Sequence, residues 1–324
     1  MTISCQTHGP EWGTDGFAEE LDRLLAMGVN WVAIHPYARI HGDGRVSTRL
    51  DPDHPPVWLT RPLEEARSRG MDVLVKPHLA YWGSPFPWRG EIAFEDPAAL
   101  ARFHSDYRRW ILDLARITAD ASAFCVGTEL DRLVGDPVPW QQLIAEVREV
   151  TSAHLTYAAS WDRVGEVSFW GKLDVIGVQA YHPLVADGEE TPRSVEELAG
   201  GLDGFLGRLG QLSRSTGKPV VFTELGYDSV PGAALRPWEG AGRGMGPDPE
   251  LQELCLRAAL TRIDEEREWL RGAFLWKWFV GPSEREDFQL DRPAIRELLE
   301  ELWLSPSSSA GASGQSGELS LIHI

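Results

Sequence analysis

The chain of 324 residues carries 31 Lys and Arg against 49 Asp and Glu, a formal charge of −18 with an isoelectric point near 4.9. Such an acidic balance repels phosphate backbones and anionic lipid, so nucleic acid and membrane are excluded as partners held by a broad basic patch. At 43% hydrophobic and 25% charged residues the composition is that of a globular protein with a large core, and 14 Trp against 6 Tyr is its one marked departure.

From the N-terminus to about Leu304, short β-branched runs alternate with longer amphipathic segments, the rhythm of βαβ units in a parallel sheet. Strands are expected at Thr2–Cys5, Asn30–His35, Asp72–Lys76, Ala123–Gly127, Leu155–Ala159, Val175–Gln179, Val220–Thr223 and Gly272–Trp276. Helices are expected at Gly16–Met27, Leu59–Arg69, Pro97–Thr118, Pro139–Thr151, Val195–Thr216, Pro249–Trp269 and Arg292–Leu302, with a short turn near Glu166–Leu173. The third helix has the clearest pattern, because Leu100, Phe103, Tyr107, Trp110, Ile111 and Leu114 fall three or four apart and form one apolar stripe. Gly28, Gly70 and Gly217 stand where a helix would end before the next strand.

Eight strands with intervening helices fit an α/β protein built as a single-domain (β/α)8 TIM barrel over residues 1–304. An open doubly wound sheet would bring a glycine-rich phosphate turn, and none follows an early strand. The Ser/Gly-rich stretch from Ser305 to Glu318 cannot bury a face, so residues 305–324 are expected to be a disordered tail, of a composition equally typical of a non-native extension. Cys5, Cys125 and Cys255 are far apart and odd in number, which gives no disulfide framework and no metal motif. The N-terminus lacks the basic and apolar regions of a signal peptide, so a cytoplasmic location is expected. Met1 stands almost directly before the first strand, however, and a preceding segment with its own address is left open.

In such barrels reactive side chains sit at the C-terminal ends of strands. Two carboxylates occupy those places, Glu129 after the fourth strand in FCVGTEL and Glu224 after the seventh in PVVFTELGY. An acid at the end of an apolar strand is costly to desolvate, and a structural ion pair with Arg132 or Arg89 would explain either one alone. Two at the same depth among aromatics point instead to the opposed carboxyls that cleave a glycosidic bond. Tyr181, ending the sixth strand in QAYHP, would neighbour Glu224 and donate a hydrogen bond that keeps it ionised.

The segments KPHLAYWGSPFPWRGEI, FCVGTEL, LTYAASWD, FWGKLDVIGVQAYHPL, KPVVFTELGYDSVPGAALRPWE and GAFLWKWF occur in order over about Trp12 to Phe279 and resemble glycoside hydrolase family 113 of the retaining clan A. That resemblance implies a (β/α)8 barrel with endo-β-1,4-mannanase activity, Glu129 as acid/base, Glu224 as nucleophile and the Tyr181 contact. Where many clan members carry Asn before the acid/base, this chain has Thr128, a shorter side chain that leaves the contact to the sugar 2-hydroxyl open.

The tryptophans acquire a place in this reading. Trp12, Trp82, Trp88, Trp161, Trp170, Trp238, Trp276 and Trp278 fall on the strand-end side, where indole faces can pack on sugar rings. Trp12, Trp88, Trp161, Trp276 and Trp278 are taken as substrate-binding, with Trp276 as the floor of the cleaved sugar's site in the manner of the clan; Trp170 and Trp238 are taken as plugs of the barrel end. His78 and Arg89 are added as binding residues, because Lys76 and His78 alternate toward the mouth and the loop bearing Arg89 follows. The histidines show no HxH or HExxH spacing, so no metal and no cofactor is expected, and GxSxG is absent. The expected partner is a neutral β-linked polysaccharide or oligosaccharide, and the alternative is a non-catalytic carbohydrate-binding or assembly module on the same barrel.

Overall fold

The β-branched runs close into one parallel barrel. The computed structural model describes residues 1–239, 246–283 and 287–304, so the expected tail at 305–324 lies outside the described residues. The strands are β1 (Ile3–Ser4), β2 (Trp31–Ile34), β3 (Asp72–Val75), β4 (Ala123–Thr128), β5 (His154–Ser160), β6 (Ile176–Gln179), β7 (Val220–Leu225) and β8 (Leu270–Leu275). Strands β2 to β8 follow one another around a parallel sheet in chain order. Strand β1 fills the seam between the sheet's two ends: Ala33 N donates to Met1 O at 2.8 Å, and Thr2 N donates to Leu275 O at 2.9 Å. A short strand, Trp278–Phe279, continues this seam by pairing with β1. Closure leaves no exposed sheet edge and sets all strand C-termini around one mouth.

The outer layer consists of α1 (Asp15–Ala26), α2 (Val57–Ser68), α3 (Pro97–Ile117), α4 (Pro137–Val150), α5 (Val195–Gly200), α6 (Asp203–Thr216), α7 (Pro249–Glu265) and α8 (Pro293–Leu304). Helices α3, α4 and α7 begin with an Asp-Pro pair in which Asp96, Asp136 and Asp248 accept from a free backbone N–H and the proline has none to lose. Gly28, Gly70 and Gly217 adopt the left-handed φ values of 87°, 70° and 66° expected past a helix end.

One expectation needs correction, and two features add detail. The helix foreseen over Val195–Thr216 is two, α5 and α6, because the chain turns at Gly201, where a Cβ would lie 2.1 Å from Leu184 O. The turn near Glu166–Leu173 is a pair of 3-10 turns, Val164–Glu166 and Trp170–Lys172, so β5 and β6 are joined without an α-helix. A small sheet of Val46–Ser47, Tyr37–Ile40 and His78–Ala80 stands above the mouth beyond β2 and β3. Its runs of two to four residues are too short to announce themselves by alternation.

The core has two parts. One lies between sheet and helices; the other, inside the barrel, comprises Trp31, Ala33, Leu74, Ala123, Cys125, Ala158, Val175, Val221 and Phe274. The interior group plugs the barrel and leaves the polar residues above it to face the mouth. Cys5, Cys125 and Cys255 are buried and free. Among the described residues, no helix is long and apolar enough to cross a membrane.

Candidate active site

Simple alternation does not bring Glu224 to the mouth. Val221 belongs to the barrel interior and Phe222 stacks on Phe205 of α6, so by the two-residue period position 224 would also face the helices. The pairing of β7 with β6 shifts register between Phe222 and Glu224, and this irregularity turns the carboxyl inward. Strand β4 does the same: its register with β5 shifts between Cys125 and Thr128, and Glu129 then adopts φ 52°. A left-handed non-glycine residue costs about 1–3 kcal/mol unless its surroundings enforce it. Here Glu129 N donates to Ala158 O at 2.9 Å, and Leu130 N donates to the buried Tyr157 hydroxyl at 2.8 Å.

Glu224 is almost fully buried in a cationic and hydrogen-bonding nest. Lys76, on the same inward face as Leu74, reaches across the barrel from β3 to donate to Glu224 Oε1 and, at 2.9 Å, to Thr223 O. The Tyr181 hydroxyl donates to Glu224 Oε2 at 2.7 Å. His78 Nε2 lies 3.4 Å from Oε1 without a well-directed hydrogen bond. Burial pushes the Glu224 carboxyl up, but the Lys76 ammonium and the His78 ring together outweigh it, and the group is held well below the usual carboxylate range. Burial and the Arg89 charge push His78 itself down to about 3, so near neutral pH its ring acts as a dipole and Lys76 supplies the charge. Burial, reinforced by the Glu224 charge, raises Tyr181 well above its ordinary value and keeps it a donor. Burial lowers Lys76, an effect opposed by Glu224.

Glu129 meets a different partner. Arg89 Nη2 and Nε donate to Glu129 Oε2 at 2.6 and 3.2 Å. Burial alone would lower Arg89, but the Glu129 and Glu224 charges raise it. Two residues on, burial and the Glu129 charge push Asp131 up to about 6, while the Ser160 hydroxyl, donating at 2.9 Å, opposes the rise.

Both carboxyls open into one cleft of about 580 Å³. Tyr181, Arg89, Trp88, Trp161 and Trp276 line it, as the sequence reading places them, and so do Tyr81 and Phe288. Trp238, expected as a plug, is 48% exposed and stacks on Trp161 with ring centroids 6.0 Å apart. Trp170 is buried and spends its N–H on Val164 O at 3.0 Å.

Three expected binding residues do not reach the cleft. Trp12 is fully buried, with Nε1 donating to Ile3 O at 3.0 Å. Trp278 is fully buried, with Nε1 donating to Glu20 Oε2 at 2.7 Å; β8 ends at Leu275, and Trp278 belongs to the separate strand beside β1, so alternation from Trp276 does not carry to it. His78 is 1% exposed and stands behind the wall, between Glu224 and Trp276. The Thr128 hydroxyl is turned away as well, donating to Pro77 O at 3.0 Å. Lys76 alternates with His78 in the sequence but gains no role from that alone; its signal is a lysine closing the apolar run DVLVK in register with Leu74. Among the described residues no three His, Cys, Asp or Glu side chains gather as a metal-binding group.

Solved structures share this fold. The GH113 β-mannanase AaManA from Alicyclobacillus acidocaldarius, solved in complex with ManMIm, superposes with a TM-score of 0.80 at 22% identity, covering 94% of this chain and 96% of that one. Two further structures described as GH113 β-1,4-mannanases give TM-scores of 0.78 and 0.75 at 21% identity, covering 94% and 93% of this chain and 98% and 97% of theirs. At that identity the likeness shows the fold. No curated protein sequence matches the chain. The model of Glycoside Hydrolase Family 113 matches residues 1–292, and the chain therefore belongs to that family.

Proposed function

We propose that the chain is a retaining endo-β-1,4-glycosidase acting on mannan- or glucomannan-type chains. The observation that carries this reading is the pair of carboxyls in one aromatic cleft with different partners: Glu224 bonded by Lys76 and Tyr181, and Glu129 bonded by Arg89. In the first step a Glu224 oxygen attacks the anomeric carbon, the bond to the leaving oxygen breaks, and Glu129 gives that oxygen a proton. In the second step Glu129 takes a proton from water, whose oxygen displaces Glu224 from the sugar. The acid step requires the proton to be on Glu129 when the leaving oxygen meets it, and the base step requires Glu129 without it. The stacked Trp161–Trp238 pair and Trp88 extend the aromatic surface beyond the carboxyls, as a chain longer than one sugar needs. The likeness of the fold to β-1,4-mannanases supports the choice of sugar.

The test is release of reducing ends from mannan and glucomannan by the parent, Glu129→Gln and Glu224→Gln. Each variant is expected to lose at least about 10²–10⁴-fold in kcat/KM. Equal rates in the parent and both variants contradict the assignment.

A further inference from the structure

Beside the cleft lies a second and larger cavity, of about 770 Å³, on the side of the small sheet. It is lined by aromatic faces, Tyr37, Trp58 and Trp82, together with His8, Arg39 and Arg49, and among the described residues by no Asp or Glu, although the lining His54 is bonded to Asp51 at 2.9 Å. That lining is unusual on a chain of net charge −18. Many of the surface arginines are claimed by carboxylates, as Arg102 is by Asp43 at 2.8 Å and Arg132 by Glu91 at 3.0 Å. Among the described residues, Arg39 donates to Trp82 O, at 3.4 Å, and neither Arg39 nor Arg49 forms an ion pair. Two guanidinium groups left without acids in the same concave, aromatic site are prepared for an anion on a ring-shaped ligand, since Arg presents its donors as a fork that fits a carboxylate.

The two cavities share a wall. Tyr81 lines the first and Trp82 the second, with ring centroids 5.7 Å apart, and Tyr37 bridges from His78 (5.7 Å) to Trp82 (5.4 Å). A glycan crossing Tyr81 and Trp82 occupies both. We propose that the second cavity is a subsite for a carboxylate-bearing sugar, a uronic acid unit, within the glycan whose neighbouring linkage lies over Glu129 and Glu224. This rests on the glycosidase reading of the first cleft and changes its substrate class from strictly neutral to acid-substituted chains. The overall negative charge does not oppose it at short range, because charges farther apart than about 8 Å are largely screened at physiological salt.

The test uses a β-linked oligosaccharide of mannose containing one glucuronic acid unit and the same oligosaccharide after carboxyl reduction, which keeps length and linkage and removes the charge. Two readouts are taken: kcat/KM for each with the parent, Arg39→Ala, Arg49→Ala and the double variant, and calorimetric titration of each into Glu224→Gln with and without the arginine changes. The acidic oligosaccharide is expected to be preferred about tenfold or more in both readouts, with the ratio falling toward one in the double variant. If neither oligosaccharide is cleaved but arginine-dependent preference persists in the titration, the hydrolase reading fails and the subsite stands. A ratio near one in the parent, or a preference that survives loss of both arginines, overturns the subsite.

Discussion

Lys76 decides the state of Glu224. Burial alone would push this carboxyl up, and the ammonium donating to it reverses that. Replacing Lys76 with Met removes the largest opposition to burial, so the pKa of Glu224 rises and the acid limb of the pH profile of kcat/KM moves toward neutrality by about one unit or more. Activity should fall more at pH 5 than at pH 8, and an acid limb that stays in place refutes the role. Glu129, Glu224 and Tyr181 are visible in the sequence because an acid ending an apolar strand needs a reason. Lys76 is less visible, since a terminal lysine ordinarily extends to water; only its partner 148 residues on gives it meaning. Trp12 and Trp278 mislead for the opposite reason: counting to a strand end locates a ring along the chain but not the side to which it turns.

At the scale of elements, the site is made by two departures from regular strands. The register shifts in β4 and β7 aim Glu129 and Glu224, and neither leaves a mark in the hydrophobic pattern. Strand existence was legible for all eight segments, because β-branched runs and their helix-ending glycines are local signals. The irregularities and the small sheet above the mouth depend on partners distant in sequence, which a pattern of period two cannot report. Tyr157 holds the first departure in place by accepting from Leu130 N directly after Glu129. Tyr157→Phe leaves that buried N–H without a partner, at a cost of about 1–3 kcal/mol in urea denaturation. It should also lower kcat more than it raises KM, because the carboxyl loses its aim while the cleft walls remain. An unchanged kcat in a destabilised variant would make Tyr157 purely structural.

For the whole molecule, a barrel with neutral histidines and an ionised carboxylate buried at its mouth is acid-sensitive. His78 is pushed down to about 3 and His35 well below its ordinary value, both by burial first. Below the ordinary histidine value of about 6.5 the unfolded chain binds protons that the folded chain refuses, so stability falls as pH is lowered from there toward 3, by about 1.4 kcal/mol per pH unit for each histidine. Glu224 acts in the same direction below its ordinary value, since it stays ionised in the fold while the unfolded carboxyl takes up a proton. Urea midpoints should therefore drop steadily between pH 6.5 and 4.5, and His78→Gln should flatten the slope; a profile equally steep in that variant contradicts the assignment to His78. The charge of −18 bears on partners at long range, whereas the two carboxyls are governed locally by the cations bonded to them, Lys76 and Arg89. The central claim is that Glu224 attacks the sugar and Glu129 first gives and then takes a proton. It is tested most directly by proton NMR of β-1,4-mannan cleavage at early times: the account predicts that the first-formed reducing end is the β-anomer, with α appearing only by later mutarotation, and an α-anomer formed first would contradict it.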